Sequence, residues 1–133
     1  MADQTLDLKL KEFKRALLSL EEALKLRKSK LSRDSSIKRF EFSYELGWKV
    51  SKEFLRNRFG LEIASPKECF RELKRQEILT ASETETAMEM VTDRNLIVHT
   101  YNEKFADEIF DLIKKKYFIL LGNMFHKIYA KKD

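Results

Sequence analysis

The sequence predicts an all-α fold: an antiparallel, up-and-down bundle of four helices with one additional short helix, formed by residues 1–133 as a single domain. Three observations predict it. The chain of 133 residues holds only three glycines and one proline, too few chain-breakers for a set of hairpins. Its apolar residues recur at helical spacing over long stretches. Between those stretches stand Ser, Asp and Asn residues of the kind that cap helix starts.

The first helix is read from Leu6, Leu10, Phe13, Leu17, Leu20 and Leu24, spaced 4-3-4-3-4, with Leu31 one heptad further on. It is expected over Asp3 to Leu31, about 40 Å at 1.5 Å per residue, so its partners must also be long. The "SRDSS" stretch, Ser32 to Ser36, reads as a turn and helix start. A second helix then runs from about Ser35 to Phe59, and Gly60 suits the left-handed position that ends it. This helix is apolar on two sides. Ile37, Phe40, Tyr44, Trp48 and Leu55 make one face, and Phe42, Leu46, Val50 and Phe54 the other. Such a helix is central, or is covered on one side by a partner, which points to a dimer.

"SPKE" (Ser65 to Glu68) is a capping box with proline at the first helical position, opening a short helix to about Gln76. "SETE" (Ser82 to Glu85) is read as a second capping box and the start of the next helix. Asn102 caps the last one, Glu103 to about Tyr129, whose apolar stripe is Phe110, Ile113, Tyr117, Leu120, Met124 and Ile128.

Composition narrows the function classes. Hydrophobic residues make up 43% and charged residues 37%, which fits neither a disordered chain nor a membrane protein. The longest apolar run, Tyr117 to Leu121, is too short to span a bilayer, and the N-terminal segment does not resemble a signal peptide. A cytoplasmic protein without a membrane role is expected. The net charge of +5 mildly favours an anionic partner. Lys25 to Arg33 and Lys114 to Lys116 are the basic clusters, ordinarily solvated faces and, if the partner is a nucleic acid, the place for backbone contacts. Cys69 is the single cysteine and reads as a small core residue. His126 has no second ligand at metal spacing, and no cofactor-binding motif is present, so neither a metal nor a cofactor is expected.

The chemistry concentrates in "TDRNLIVHTYNE", Thr92 to Glu103. On a helix, Ala87, Val91, Arg94, Val98 and Tyr101 share a stripe, which puts Arg94 on a core-facing surface. Arg94 and His99 are five residues apart, roughly 140° around the helix, and do not converge within one straight segment. Two readings stand. In one, Arg94 pairs with Glu41 or Glu45 of the second helix, as buried arginines normally pair. In the other, Arg94, Asn95 and His99 line a cleft that binds phosphate and moves a proton, and a two-fold dimer brings two such sets together.

"RNLIVHTY" (Arg94 to Tyr101) resembles the R-x4-6-H-x-Y motif of HEPN-domain proteins in MNT–HEPN toxin–antitoxin systems. "RFEFSYELGWKVSKEFL" (Arg39 to Leu55), "SPKECFRE" (Ser65 to Glu72) and "DRNLIVHTYNEKFADEIF" (Asp93 to Phe110) extend the resemblance to the branch called nucleotidyltransferase substrate-binding proteins. The resemblance implies a dimerising antiparallel helical bundle paired with a small minimal nucleotidyltransferase. It implies a metal-independent ribonuclease site of Arg94, Asn95 and His99 at the dimer interface. There, a ribose 2′-OH attacks the adjacent phosphodiester. It further implies that Tyr101 is where the partner attaches AMP to silence the toxin. The alternative that it leaves open is a non-catalytic substrate-binding subunit of a two-component nucleotidyltransferase.

Overall fold

The computed structural model describes residues 3–100 and 102–133. Six α-helices follow in order: α1 (Asp3–Leu24), α2 (Lys30–Phe59), α3 (Pro66–Arg75), α4 (Ala81–His99), α5 (Glu103–Leu112) and α6 (Phe118–Lys131). A π-helical turn, Ile113–Tyr117, joins α5 to α6, so the two form one continuous rod. Ion pairs give the directions. Lys132 lies 3.1 Å from Asp7, tying the end of α6 to the start of α1. Lys127 lies 2.7 Å from Glu83, tying the same end to the start of α4. Arg33 lies 2.8 Å from Glu103, tying the starts of α2 and α5. The four long rods therefore alternate up and down, and α3 packs between α2 and α4. No helix of the described residues is long and apolar enough to cross a membrane.

The first two boundaries differ from the sequence expectation. Leu31 does not extend α1; it lies in the first turn of α2 and is 84% exposed. The cause is Ser29, whose hydroxyl accepts from the Ser32 amide at 3.1 Å while the Ser32 hydroxyl accepts from the Ser29 amide at 2.9 Å. This reciprocal box starts α2 at Lys30 rather than Ser35, and "SRDSS" lies inside the helix. Gly60 ends α2 at φ 68°, as expected. Ser65 caps α3 as expected, though Glu68 reaches back to the Ala64 amide rather than to the cap itself.

Buried serines and one glycine make α2 narrow. Ser36, Ser43 and Ser51 each donate to the carbonyl four residues earlier, so their hydroxyls enter the core satisfied. At Gly47 a Cβ would lie 3.1 Å from Phe13 Cζ and 3.2 Å from Leu121 Cδ2, so α1 and α6 close on α2 at this point. Gly47→Ala gains about 1 kcal/mol of helix propensity. Overpacking costs about 1–3 kcal/mol. A net loss of about 1 kcal/mol is expected in urea unfolding. An unchanged or higher midpoint would mean that Phe13 and Leu121 yield freely.

Arg33 fastens the α2 start to the segment after α4. Its side chain, 5% exposed, donates to Asp34 at 2.9 Å, Glu103 at 2.8 Å and Asp107 at 3.2 Å. All three carboxylates are half-exposed, so the buried cation is what substitution removes. Arg33→Met is expected to destabilise by about 1–2 kcal/mol, the low end for charged hydrogen bonds. The Arg33 hydrogen bond also holds the Glu103 carboxyl below the usual range. A lowered folded value adds stability above the unfolded carboxylate pKa that is lost as pH falls through the folded value. The variant should therefore show a flatter acid-side stability profile; identical slopes in acid titration of the two proteins would refute the linkage.

Candidate functional site

α4 starts two residues earlier than the "SETE" reading. Thr80 is its cap, accepting from the Glu83 amide at 3.1 Å while Glu83 accepts from the Thr80 amide at 2.9 Å. Glu83 also takes the Lys127 ammonium, so the cap is held against α6. Ala87, Met90 and Val91 enter the core. Beyond them α4 leaves it. Arg94 and Ile97 are half-buried, and Asn95, Leu96, Val98 and His99 are exposed. The stripe read as core-facing through Val98 thus ends at Arg94; Val98 is 57% exposed.

Two adjacent residues anchor this end of α4. Asp93 accepts a hydrogen bond from the Tyr117 hydroxyl. The Arg94 guanidinium lies 5.9 Å from the Tyr44 ring centroid, a cation–π approach. Phe40 links the two anchors, stacked on Tyr117 at 5.7 Å and set 6.2 Å from Tyr44. Burial pushes the Tyr44 hydroxyl up to about 12, with Glu45 adding to the shift and Arg94 opposing it. Burial, then the Asp93 hydrogen bond, raises Tyr117 well above the ordinary phenol value, so it remains a donor.

Neither Glu41 nor Glu45 is brought into an ion pair with Arg94. Glu45 lies 3.7 Å from Lys49, and Glu41 lines a neighbouring cleft. Among the described residues Arg94 has no carboxylate partner, and its Nε is buried without a hydrogen bond. A half-buried guanidinium whose Nε has no partner among the described residues suits an anion with several acceptor oxygens. His99 is the last residue of α4 and Asn95 lies exposed one turn before it. Within one chain Arg94 and His99 stay on different faces of the helix, separated by about 7.5 Å of rise. Tyr101 lies outside the described residues.

The cleft beside this end has a volume of about 280 Å³ and lies between α2, the end of α4 and the start of α5. Ile37, Ile97, Phe105 and Ile109 give it an apolar lining, with Thr100 and Asn102 at one side. Asn102 is the expected cap, accepting from the Phe105 amide at 2.7 Å. No three His, Cys, Asp or Glu side chains converge among the described residues. Cys69 is fully buried in the core, as expected. Asp93, Tyr44 and Tyr117 are the positioning residues that the sequence reading did not assign to the site. Their signal was present but faint: a phenol on a core stripe must find a hydrogen-bond partner.

Residues 8–130 match the model of the family described as nucleotidyltransferase substrate binding protein like. A crystal structure of a Thermus thermophilus protein is 38% identical and covers 87% of this chain and 98% of its own, with a TM-score of 0.81. A tri-AMPylated Shewanella oneidensis HEPN toxin, in complex with an MNT antitoxin, is 18% identical over 94% of this chain and 96% of its own, with a TM-score of 0.76. A toxin–antitoxin MntA–HpeT mutant is 17% identical over 94% of this chain and 97% of its own, with a TM-score of 0.77. A comparison with curated proteins gives no match.

Proposed function

The chain belongs to the nucleotidyltransferase substrate binding protein-like family, and from that premise we propose that it is the HEPN-type toxin of a toxin–antitoxin pair, a metal-independent endoribonuclease silenced by a minimal nucleotidyltransferase. The observation that carries this reading is the half-buried Arg94, free of any carboxylate among the described residues and held on Tyr44 five residues before the exposed His99. A purely structural arginine at such a position would be paired.

The catalytic unit is a homodimer. Leu96 and Val98, 43% and 57% exposed, flank Asn95 and His99 and supply apolar surface for a two-fold contact that places two sets together. The ribose 2′-oxygen attacks the adjacent phosphorus, and the bond to the 5′-oxygen breaks. One His99 takes the 2′-OH proton and the partner's copy of that histidine protonates the leaving 5′-oxygen. Arg94 holds the phosphate oxygens as their charge grows, and Asn95 adds a neutral donor. The products are a 2′,3′-cyclic phosphate and a 5′-hydroxyl. Modification of Tyr101 with AMP would add an anion to the motif seven residues after Arg94 and exclude RNA by charge and bulk. A relative that is itself a tri-AMPylated HEPN toxin supports this reading.

The test is cleavage of several end-labelled RNAs in excess EDTA by protein made without any nucleotidyltransferase and shown unmodified by intact mass. Cleavage leaving cyclic phosphate ends is expected. A second reading, a non-catalytic substrate-binding subunit, is favoured by the family description and by the apolar cleft beside Thr100 and Asn102. No cleavage of any RNA by an unmodified dimer would select it instead.

A further inference from the structure

At the end of the bundle away from Arg94, α1 and α6 enclose a groove of about 580 Å³. Its position follows from α2: Glu41 borders the cleft beside the motif, while Arg58, seventeen residues on and about 25 Å away, donates to the Lys131 and Asp133 carbonyls at the α6 end. Three aromatic rings and three lysines meet there. Phe125, 8% exposed, is the floor, fixed edge-on against Phe13 at 6.0 Å. Tyr129, 55% exposed, stacks on Phe125 at 5.7 Å with the ring planes 29° apart, and His126 meets Phe125 at 5.5 Å. Lys132 sits 5.2 Å from the Tyr129 ring and is bound to Asp7, the one acidic group in the lining among the described residues. Lys11 and Lys14, three residues apart on one exposed face of α1, have no ion pair among the described residues.

We propose that this α1–α6 groove binds single-stranded RNA, with bases stacking on Tyr129 and His126 and backbone phosphates meeting Lys11 and Lys14. The two chemistries are complementary to a single strand in particular. An exposed ring braced from beneath offers a π-surface to an unpaired base, and uncommitted ammonium groups alongside neutralise its phosphates. A duplex hides its bases from such a platform. An acidic protein surface would use the lysines but has no need of the braced Tyr129. The groove goes beyond the ribonuclease reading, because a chain that cleaves nothing can still hold RNA there; in a cleaving dimer it would grip the substrate away from the cut.

The experiment measures binding alone. The His99→Ala protein is titrated against a fluorescein-labelled single-stranded RNA by anisotropy from 50 to 200 mM KCl, so binding is read whether or not the wild type cleaves. Replacing both lysines (Lys11→Gln with Lys14→Gln) should lower the slope of log affinity against log salt by about 1.4, two phosphates at 0.7 each for a single strand. Tyr129→Ala should weaken binding about ten-fold while leaving the slope unchanged. All three positions are exposed, and thermal melts check that each variant is folded. Affinity and slope unchanged from the His99→Ala parent in both variants would overturn the proposal, as would a lysine effect without a Tyr129 effect. Loss of binding to the nucleotidyltransferase with RNA binding intact would overturn it too, and would mark the groove as a protein-docking surface.

Discussion

His99→Ala is expected to lower RNA cleavage by about two to four orders of magnitude, the usual contribution of a positioned general acid or base. Thermal stability should change by no more than about 0.5 kcal/mol, because the side chain is exposed at the last turn of α4. That separation is what makes the variant informative. Arg94→Ala would remove phosphate contact but would also strip the guanidinium from Tyr44, so it mixes binding with local packing. Arg94→Lys keeps the charge and loses the planar fork, and should retain binding better than turnover. End-labelled RNA assays beside calorimetric melts decide the matter: cleavage by His99→Ala at wild-type rate would remove His99 from the mechanism.

Much of the bundle could be read from residue spacing. The stripe from Phe110 to Ile128 is buried throughout, even though a π-helical turn interrupts the rod. Asn102, Ser65 and Gly60 act as the caps expected of them. The errors share a cause. A heptad step from Leu24 to Leu31 continues the apolar pattern across a real break, and the cap that makes the break is a serine pair rather than the familiar Ser-to-Glu box. At α4 the pattern "SETE" outweighed the true cap Thr80, two residues earlier. For the site, periodicity placed Arg94 on an inward face but could not say what awaited it there. Tyr44 and Tyr117 stand 50 and 23 positions away in the chain, and only the packed bundle brings them to Arg94 and its neighbour. The cluster of Arg94, Asn95 and His99 stood out by residue type, and the resemblance gave those residues their roles. Its aromatic support is a product of tertiary packing, which local pattern does not encode.

That support can be tested at Phe40, the ring between the two anchors. Phe40 is 0% exposed and touches both tyrosines, so Phe40→Ala opens a cavity in the centre of the bundle. The expected loss is about 3–5 kcal/mol, a large part of the roughly 5–15 kcal/mol that holds a domain folded. For a chain of this size that is a fall in melting temperature of about 10–20 °C. Such a variant says little about catalysis on its own, because loss of fold and loss of site coincide. Phe40→Leu separates them. It keeps most of the volume, costs less stability, and removes the flat ring that spaces Tyr44 from Tyr117. If the aromatic stack sets the direction of Arg94, cleavage should fall well below the folded fraction measured at the same temperature. Adding Arg94→Lys should then cost less than it does in the wild type, because the fork is already misaligned. Full activity in folded Phe40→Leu protein would reduce the stack to ordinary core packing, and the aim of Arg94 would have to come from the dimer partner instead.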